Sequence, residues 1–263
     1  MIALTNDTVL AVADQLRVQT LPLVLGIGPR QDTIEAWQAA RADAIADLRQ
    51  RGLIDDYGDV ATDLADALHI LSQPAAELSA RYYSGIEKRR ISLVRRGIQH
   101  ANAIRTGDDV RVATISIDGA VADLARVLLT ELPTCGPADV ASVSVQADEL
   151  AGRLTEANTT ADYSDAMYAL GVAAHDATAI GAAMGSCHAY TEIVATTHRD
   201  GRSTQAPGAV AVYDTARGRV VIAPMTAPDG RLWSTISPGT DHRVTQAIGA
   251  LLEGLPGGRW QSE

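Results

Sequence analysis

Gly185, Ser186, Cys187 and His188 follow one another, so the chain sets a hydroxyl, a thiol and an imidazole in sequence. Nucleophilic catalysis needs the base within hydrogen-bond reach of the nucleophile. The second glycine of a nucleophile elbow is missing, and neighbours at the start of a strand point to opposite faces, so catalysis is not expected here. Gly26-Ile27-Gly28 opens like a dinucleotide fingerprint, but the third glycine is absent and Pro29 follows; a strand end and turn is the expected reading. His69, His100, His175, His188, His198 and His242 form no His-x-x-x-His pair, and Cys135 and Cys187 no Cys-x-x-Cys pair, so no zinc site is expected. Asp55, Asp56, Asp59, Asp63 and Asp66 do not follow calcium-loop spacing; Asp59 is read as the cap of a helix that carries Asp63 and Asp66 on its wet side. No catalytic residue, metal or cofactor is assigned.

One segment concentrates charge: Glu87, Lys88, Arg89, Arg90, then Ile91 to Val94, then Arg95 and Arg96. As a strand it places guanidinium groups at both ends of an apolar middle. Either it is a solvated sheet edge guarded by charge, or it is a docking edge for an acidic protein surface. Both readings stay open.

The whole chain is acidic, with a net charge of −10 and a pI near 5.0, which argues against nucleic acid as the main partner. Apolar residues make up 46% of the 263, enough for a sizeable core, yet there is no Phe, so Ala, Val and Leu must fill it. The two cysteines show no paired spacing, and the first residues lack a basic n-region and an apolar h-region. No stretch approaches the ~18 unbroken apolar residues of a membrane span. A reduced, cytoplasmic protein without membrane insertion is expected.

The elements are punctuated most clearly near the end. Apolar runs at Ala189 to Ala195, Ala209 to Tyr213, Arg219 to Ala223 and Leu232 to Ile236 are separated by turns holding Gly201, Gly218 and Gly230. A helix from Asp241 to Glu253 follows, with Thr240 as N-cap. A similar series runs Leu78 to Ser84, Arg90 to Arg95, Ala101 to Arg105 and Val110 to Ser116, then a helix from Asp118 to Leu132. Leu128, Leu129 and Leu132 recur as Leu251, Leu252 and Leu255, an offset of 123 residues that also aligns Val121 with Val244. Each closing helix must cover one meander, so all eight residues are expected to be buried. The N-terminal part is read as helices at Asp7 to Arg17 (capped by Asn6), Asp32 to Arg51 and Val60 to Leu71. Between the first two lies a buried strand or extended segment, Leu21 to Ile27, closed by Pro29. Ile34, Trp37, Ala44, Ile45 and Leu48 form the apolar stripe of the second helix. Three helices, Gln146 to Glu156, Ala161 to Leu170 and Asp176 to Met184, open the second half.

The fold class that follows is α/β (α+β): two quasi-symmetric halves, residues 1–133 and 134–256, joined at Pro133 to Ala138 in one compact unit, with a mobile tail at 257–263.

The same stretches resemble the EspG family, cytosolic chaperones of actinobacterial type VII (ESX) secretion. The resemblance is carried by Tyr190 to Ala195 with His198 to Gly201, by Asp214-Thr215 with Gly218-Arg219, and by Trp233, Thr235, Pro238 and Gly239. Leu255-Pro256 with Trp260, Val94 to Gly97, Ala103 to Arg105 with Gly107, and Leu21 to Leu25 extend it over most of the chain. It implies a central antiparallel sheet flanked by two helical bundles and no catalysis. It also implies binding of PE–PPE heterodimers at the apolar tip of the PPE helical bundle, which keeps them soluble before export. Some relatives carry a long loop in the first meander, where Ser84 to Glu87 make only a short turn here, so contacts of that loop do not transfer.

The partner surface is expected on the second meander. Arg199 and Gln205 lie in a connection from Thr197 to Gly208 too long for a tight hairpin, Tyr213 could supply amphipathic area, and Arg217 sits in the next turn. Arg95 and Arg96 are the fallback. Two further readings are weighed: a small-molecule enzyme with its site between the halves, and a nucleic-acid regulator using Arg89, Arg90, Arg95 and Arg96. Whether the free chain forms a homodimer is left open.

Overall fold

The computed structural model describes residues 1–257 and residue 260. A short strand β1 (Ile2–Thr5) leads into α1 (Asn6–Gln15), followed by a 3-10 turn (Leu23–Leu25), α2 (Ile34–Gln50) and α3 (Thr62–Ser72). The first meander is β2 (Ala76–Ser84), β3 (Glu87–Arg96), β4 (Gln99–Thr106) and β5 (Asp109–Ile115), closed by α4 (Val121–Leu129). Then come β6 (Val143–Gln146), α5 (Ala147–Glu156), α6 (Thr160–Ala169) and α7 (Ala174–Met184). The second meander is β7 (Cys187–Arg199), β8 (Arg202–Gln205), β9 (Val210–Thr215), β10 (Gly218–Thr226) and β11 (Leu232–Pro238), closed by α8 (Asp241–Glu253).

All the strands join one antiparallel sheet of eleven, in the order β1-β5-β4-β3-β2-β7-β9-β10-β11-β6, with β8 paired to the far part of β7. The two meanders meet at β2 and β7, which pair from Ala76 opposite Thr197 to Tyr83 opposite Tyr190. Strand side chains alternate between faces, and the core divides accordingly. Ile91, Leu93, Ile104, Ile193, Val212 and Val221 pack beneath α4 and α8 on one face. Val94, Ala101, Ala103 and Val112 pack against α1, α2 and α3 on the other. Val220, Ile222 and Ile236 pack against α5, α6 and α7.

The closing helices follow their local chemistry. α8 starts where Thr240 Oγ1 accepts from the Arg243 amide at 3.1 Å, as expected. α4 is shorter than the expected Asp118 to Leu132, because Gly119 is in the left-handed region at φ 80° and Asp118 holds the Ala120 amide instead of starting a helix. Leu128, Val244, Leu251, Leu252 and Leu255 are buried, each contributing about 1.5–3 kcal/mol of burial. Val121, Leu129 and Leu132 are only half-buried, because α4 has the shorter contact with the sheet.

Other local expectations change. Thr5, not Asn6, caps α1, its Oγ1 accepting from the Thr8 amide while Asn6 turns inward to clasp the Gly28 backbone in both directions. Leu21 to Ile27 forms no strand; it holds the 3-10 turn Leu23–Leu25, ended by Gly26 at φ 58°, which leaves Leu23 94% exposed. α2 begins after Thr33, and Ile34 and Trp37 are exposed, so of the expected stripe only Ala44 and Leu48 are buried. Ala61, not Asp59, precedes α3; it is Asp55 that accepts from the amides of Tyr57 and Asp59. β1 and β6, four residues each, are too short to show a period in sequence.

The basic segment is neither kind of edge. β3 lies between β2 and β4, with both sides of its backbone paired. Its arginines are tied to backbone carbonyls: Arg89 donates to Glu131, Arg90 to Leu25, Arg95 to Gly97 and Arg96 to His69. The segment expected to be a mobile tail is pinned at Trp260, which is 3% exposed and donates its indole N–H to His100 Nε2 at 3.0 Å. Residues 258, 259 and 261–263 of that expectation lie outside the described residues.

Candidate docking groove

The helices of the second face stop short of its centre. There the outward side chains of β2 and β7 form the floor of an open groove of about 1060 Å³. Its walls are Thr20 to Val24, between α1 and α2, and Leu71 to Pro74 at the end of α3; its lip is the β7–β8 hairpin. Register sets the floor: Glu77 opposite Thr196, Ser79 opposite Val194, and Arg81 opposite Glu192. The next pair along, Tyr83 and Tyr190, continues the same face with rings stacked at 4.9 Å. Tyr213 on β9 extends the row, 6.4 Å from Tyr190.

The two ends differ in chemistry. At the hairpin end Glu77 is buried, its Oε1 accepting from Ser79 Oγ at 2.7 Å and Ser92 Oγ at 2.8 Å. Burial pushes its carboxyl up, but the facing His198 imidazole and the two serine hydroxyls outweigh that and hold it below the usual carboxylate range. His198 Nε2 faces Oε2 from 3.6 Å, longer than a hydrogen bond, while Nδ1 meets Ser203 Oγ at 2.9 Å. Arg81 and Glu192 pair at 3.3 Å in a half-exposed setting where such a bridge is worth little. At the other end the tyrosine row presents apolar area with polar tips, and Tyr190 is 43% exposed.

The expected partner residues separate. Arg199 and Gln205 line the groove, and their connection is the ordered β7–β8 hairpin with Asp200 and Gly201 at positive φ, not a free loop. Tyr213 sits largely against the C-terminal helical cluster, where burial pushes its phenol up to about 12. Arg217 is exposed in the β9–β10 turn, beside the Cys187 end of β7. The 13 residues of β7 put it about 40 Å from Arg199. Arg95 lies on the closing-helix face, buried, and Arg96 is exposed over the end of α3.

Glu77, Arg81, Tyr83, Tyr190, Glu192 and His198 were not singled out from sequence. The signal is present in Glu77-Leu78-Ser79-Ala80-Arg81, which alternates polar and apolar although the strand lies mid-sheet: a polar face where a buried one is the norm.

Cys187 and Ala189 flank a bulge; Cys187 and His188 are exposed as residues, but the Cys187 thiol turns back to donate to the Ala189 carbonyl, and its partial desolvation raises its pKa, away from the thiolate form a nucleophile needs. Arg219 grips Asp214 beneath the linker, and Gly218 and Gly239 leave room for that clasp. A Cβ would stand 2.6 Å from the Pro137 backbone in one case and 2.2 Å from Arg219 Cγ in the other. Among the described residues no three His, Cys, Asp or Glu side chains are grouped to hold a metal, and no helix is long and apolar enough to cross a membrane.

Comparison with known proteins gives consistent results. A family model described as the EspG family matches residues 5–250. The chain is 29% identical over 263 residues to the ESX-1 secretion-associated protein EspG1 of Mycobacterium tuberculosis, covering 98% of this chain and 89% of that protein. It is 27% identical over 260 residues to the ESX-3 secretion-associated protein EspG3 of Mycolicibacterium smegmatis, covering 98% and 88%. Among solved structures, it superposes with a TM-score of 0.83 on a chain of the Mycobacterium tuberculosis type VII secretion system chaperone EspG5 in complex with a PE25-PPE41 dimer. That match has 19% identity and covers 100% of this chain and 99% of that one.

Proposed function

The chain belongs to the EspG family, and from that premise we propose that it is a non-catalytic, cytoplasmic chaperone of type VII secretion. It binds PE–PPE heterodimers at the apolar tip of the PPE helical bundle and keeps them soluble before export. The observation that carries this reading is the bare centre of the sheet: both helical clusters leave the outward face of β2 and β7 open as a groove. A partner surface there meets Tyr83, Tyr190 and Tyr213 at one end and a polar floor at the other, with Arg199 and Gln205 at the lip. An exposed apolar helix tip is an aggregation hazard, and a concave surface of this width can cover it. Arg96 and Arg217 flank the same partner from opposite ends of the sheet; Arg95 supports the sheet from beneath.

The two halves are read as a duplication. What supports this is the shared order of short strand, helices, meander and closing helix, with β1 and β6 taking the same place beside β5 and β11.

The experiment is co-expression with the PE–PPE pairs of the chain's own genome, followed by size exclusion. Co-elution with a heterodimer that is insoluble alone is the expected result; failure to retain any pair would remove the reading.

A further inference from the structure

Resting on that docking reading, we infer that Glu77 determines specificity: its free carboxylate oxygen seats a cationic N–H donor, an ammonium or guanidinium group, from the docked partner. The Glu77 side chain is only 8% exposed, yet it lines the groove. Two serine hydroxyls, at 2.7 and 2.8 Å, use one of its oxygens and fix its direction. The second oxygen has no hydrogen bond among the described residues. His198 Nε2 faces it from 3.6 Å, beyond hydrogen-bond length, and makes no hydrogen bond of its own, so the imidazole attracts the carboxylate without filling its acceptor site. The cation next along the floor, Arg81, is already paired with Glu192.

A buried, oriented and half-satisfied carboxylate is costly to cover with apolar surface, because the remaining water is lost and nothing replaces it. A cationic donor replaces that water with a charge-assisted hydrogen bond and adds no ordering cost on the chaperone's side. The groove therefore accepts an apolar tip at its tyrosine end and rejects one that lacks a cation near the hairpin end. Discrimination of this kind works by leaving a wrong partner with an unpaired buried charge. The exposed Leu23 on the facing wall lets the stem of a lysine or arginine lie along apolar surface while its head reaches the carboxylate.

The test is titration of the wild type and of Glu77→Gln against purified PE–PPE heterodimers of the same genome, at low and high salt. The glutamine keeps the shape and can still accept from both serines. Its affinity should fall about tenfold at low salt and depend less on salt than the wild type's. Equal affinity and equal salt dependence would overturn the seat while leaving the docking reading in place. A wild type that binds no heterodimer would overturn both. A second readout needs no variant: acetylating the heterodimer's lysines and blocking its arginines should weaken wild-type binding by a similar factor. Undiminished binding would overturn the seat.

Discussion

Arg219 closes on Asp214 through two parallel bonds, Nε to Oδ1 at 2.6 Å and Nη2 to Oδ2 at 3.0 Å, with both side chains buried. The same guanidinium donates to the Pro133 carbonyl at 2.7 Å, and the Arg219 backbone binds Gly136, Ala138 and Gly239. The pair thus staples the connection between the two parts of the chain to the middle of the second meander. Burial alone would lower the Arg219 pKa, but Asp214 more than compensates, so the net shift is upward. Asp214→Ala leaves a buried, uncompensated cation and should cost about 3–5 kcal/mol of stability in denaturant unfolding. Replacing both residues by apolar ones of similar volume should cost much less.

Gly218 supports the clasp through geometry alone. It sits at φ 105° with the Pro137 backbone where a Cβ would go. Gly218→Ala should destabilise by about 1–3 kcal/mol. Gly107→Asn, in an open turn at φ 61° that asparagine tolerates, should cost clearly less in the same thermal melts.

On the proposed partner surface, Tyr190→Ala should weaken heterodimer binding by about 2 kcal/mol with little change in melting temperature. Tyr213→Ala should weaken binding too, but with a visible loss of stability, since most of its ring is core. Arg199→Glu should act mainly through salt-sensitive association, and Arg217→Glu, at the far end of β7, should act less. Titration at two salt concentrations separates these outcomes.

Glu77 ties stability to acid. Its folded pKa lies below the unfolded value, so the unfolded chain binds the proton more readily and stability rises with pH across that interval. The contribution is complete above roughly pH 4.3, the ordinary glutamate value, and fades as pH falls through the folded value. Acid unfolding followed by circular dichroism should show a flatter low-pH limb in Glu77→Gln than in the wild type.

His100 acts in the same direction at higher pH. Burial, with the Arg95 charge beside it, lowers its pKa, and its Nε2 must stay unprotonated to accept the Trp260 N–H. Its contribution is complete above about pH 6.5 and lost as pH falls through the lowered value. With Trp37→Phe and Trp233→Phe leaving one indole, Trp260 fluorescence should change on acidification, in step with a falling melting temperature. A flat emission profile down to the unfolding limb would refute the coupling.

The local code of this chain was enough for its meanders, its closing helices and its family. Glycine turns, apolar alternation and the Thr240 cap are short-range facts; the Asp214, Gly218 and Gly239 positions were visible as a family pattern, but the clasp they serve with Arg219 and the Pro133 to Ala138 connection was not. The groove was not readable in that way. Glu77 and His198 meet because β2 pairs with β7, and local periodicity states which face a side chain takes, never which distant strand lies beside it. The basic segment misled for the same reason: charge at both ends of a strand looks like an edge until β4 and β2 are seen on either side, with its arginines bound to carbonyls of other elements. Only the tertiary structure decided that the sheet's centre stays bare. That depends on where two helical clusters end over it, and helix placement across a sheet is set by packing summed over the whole chain.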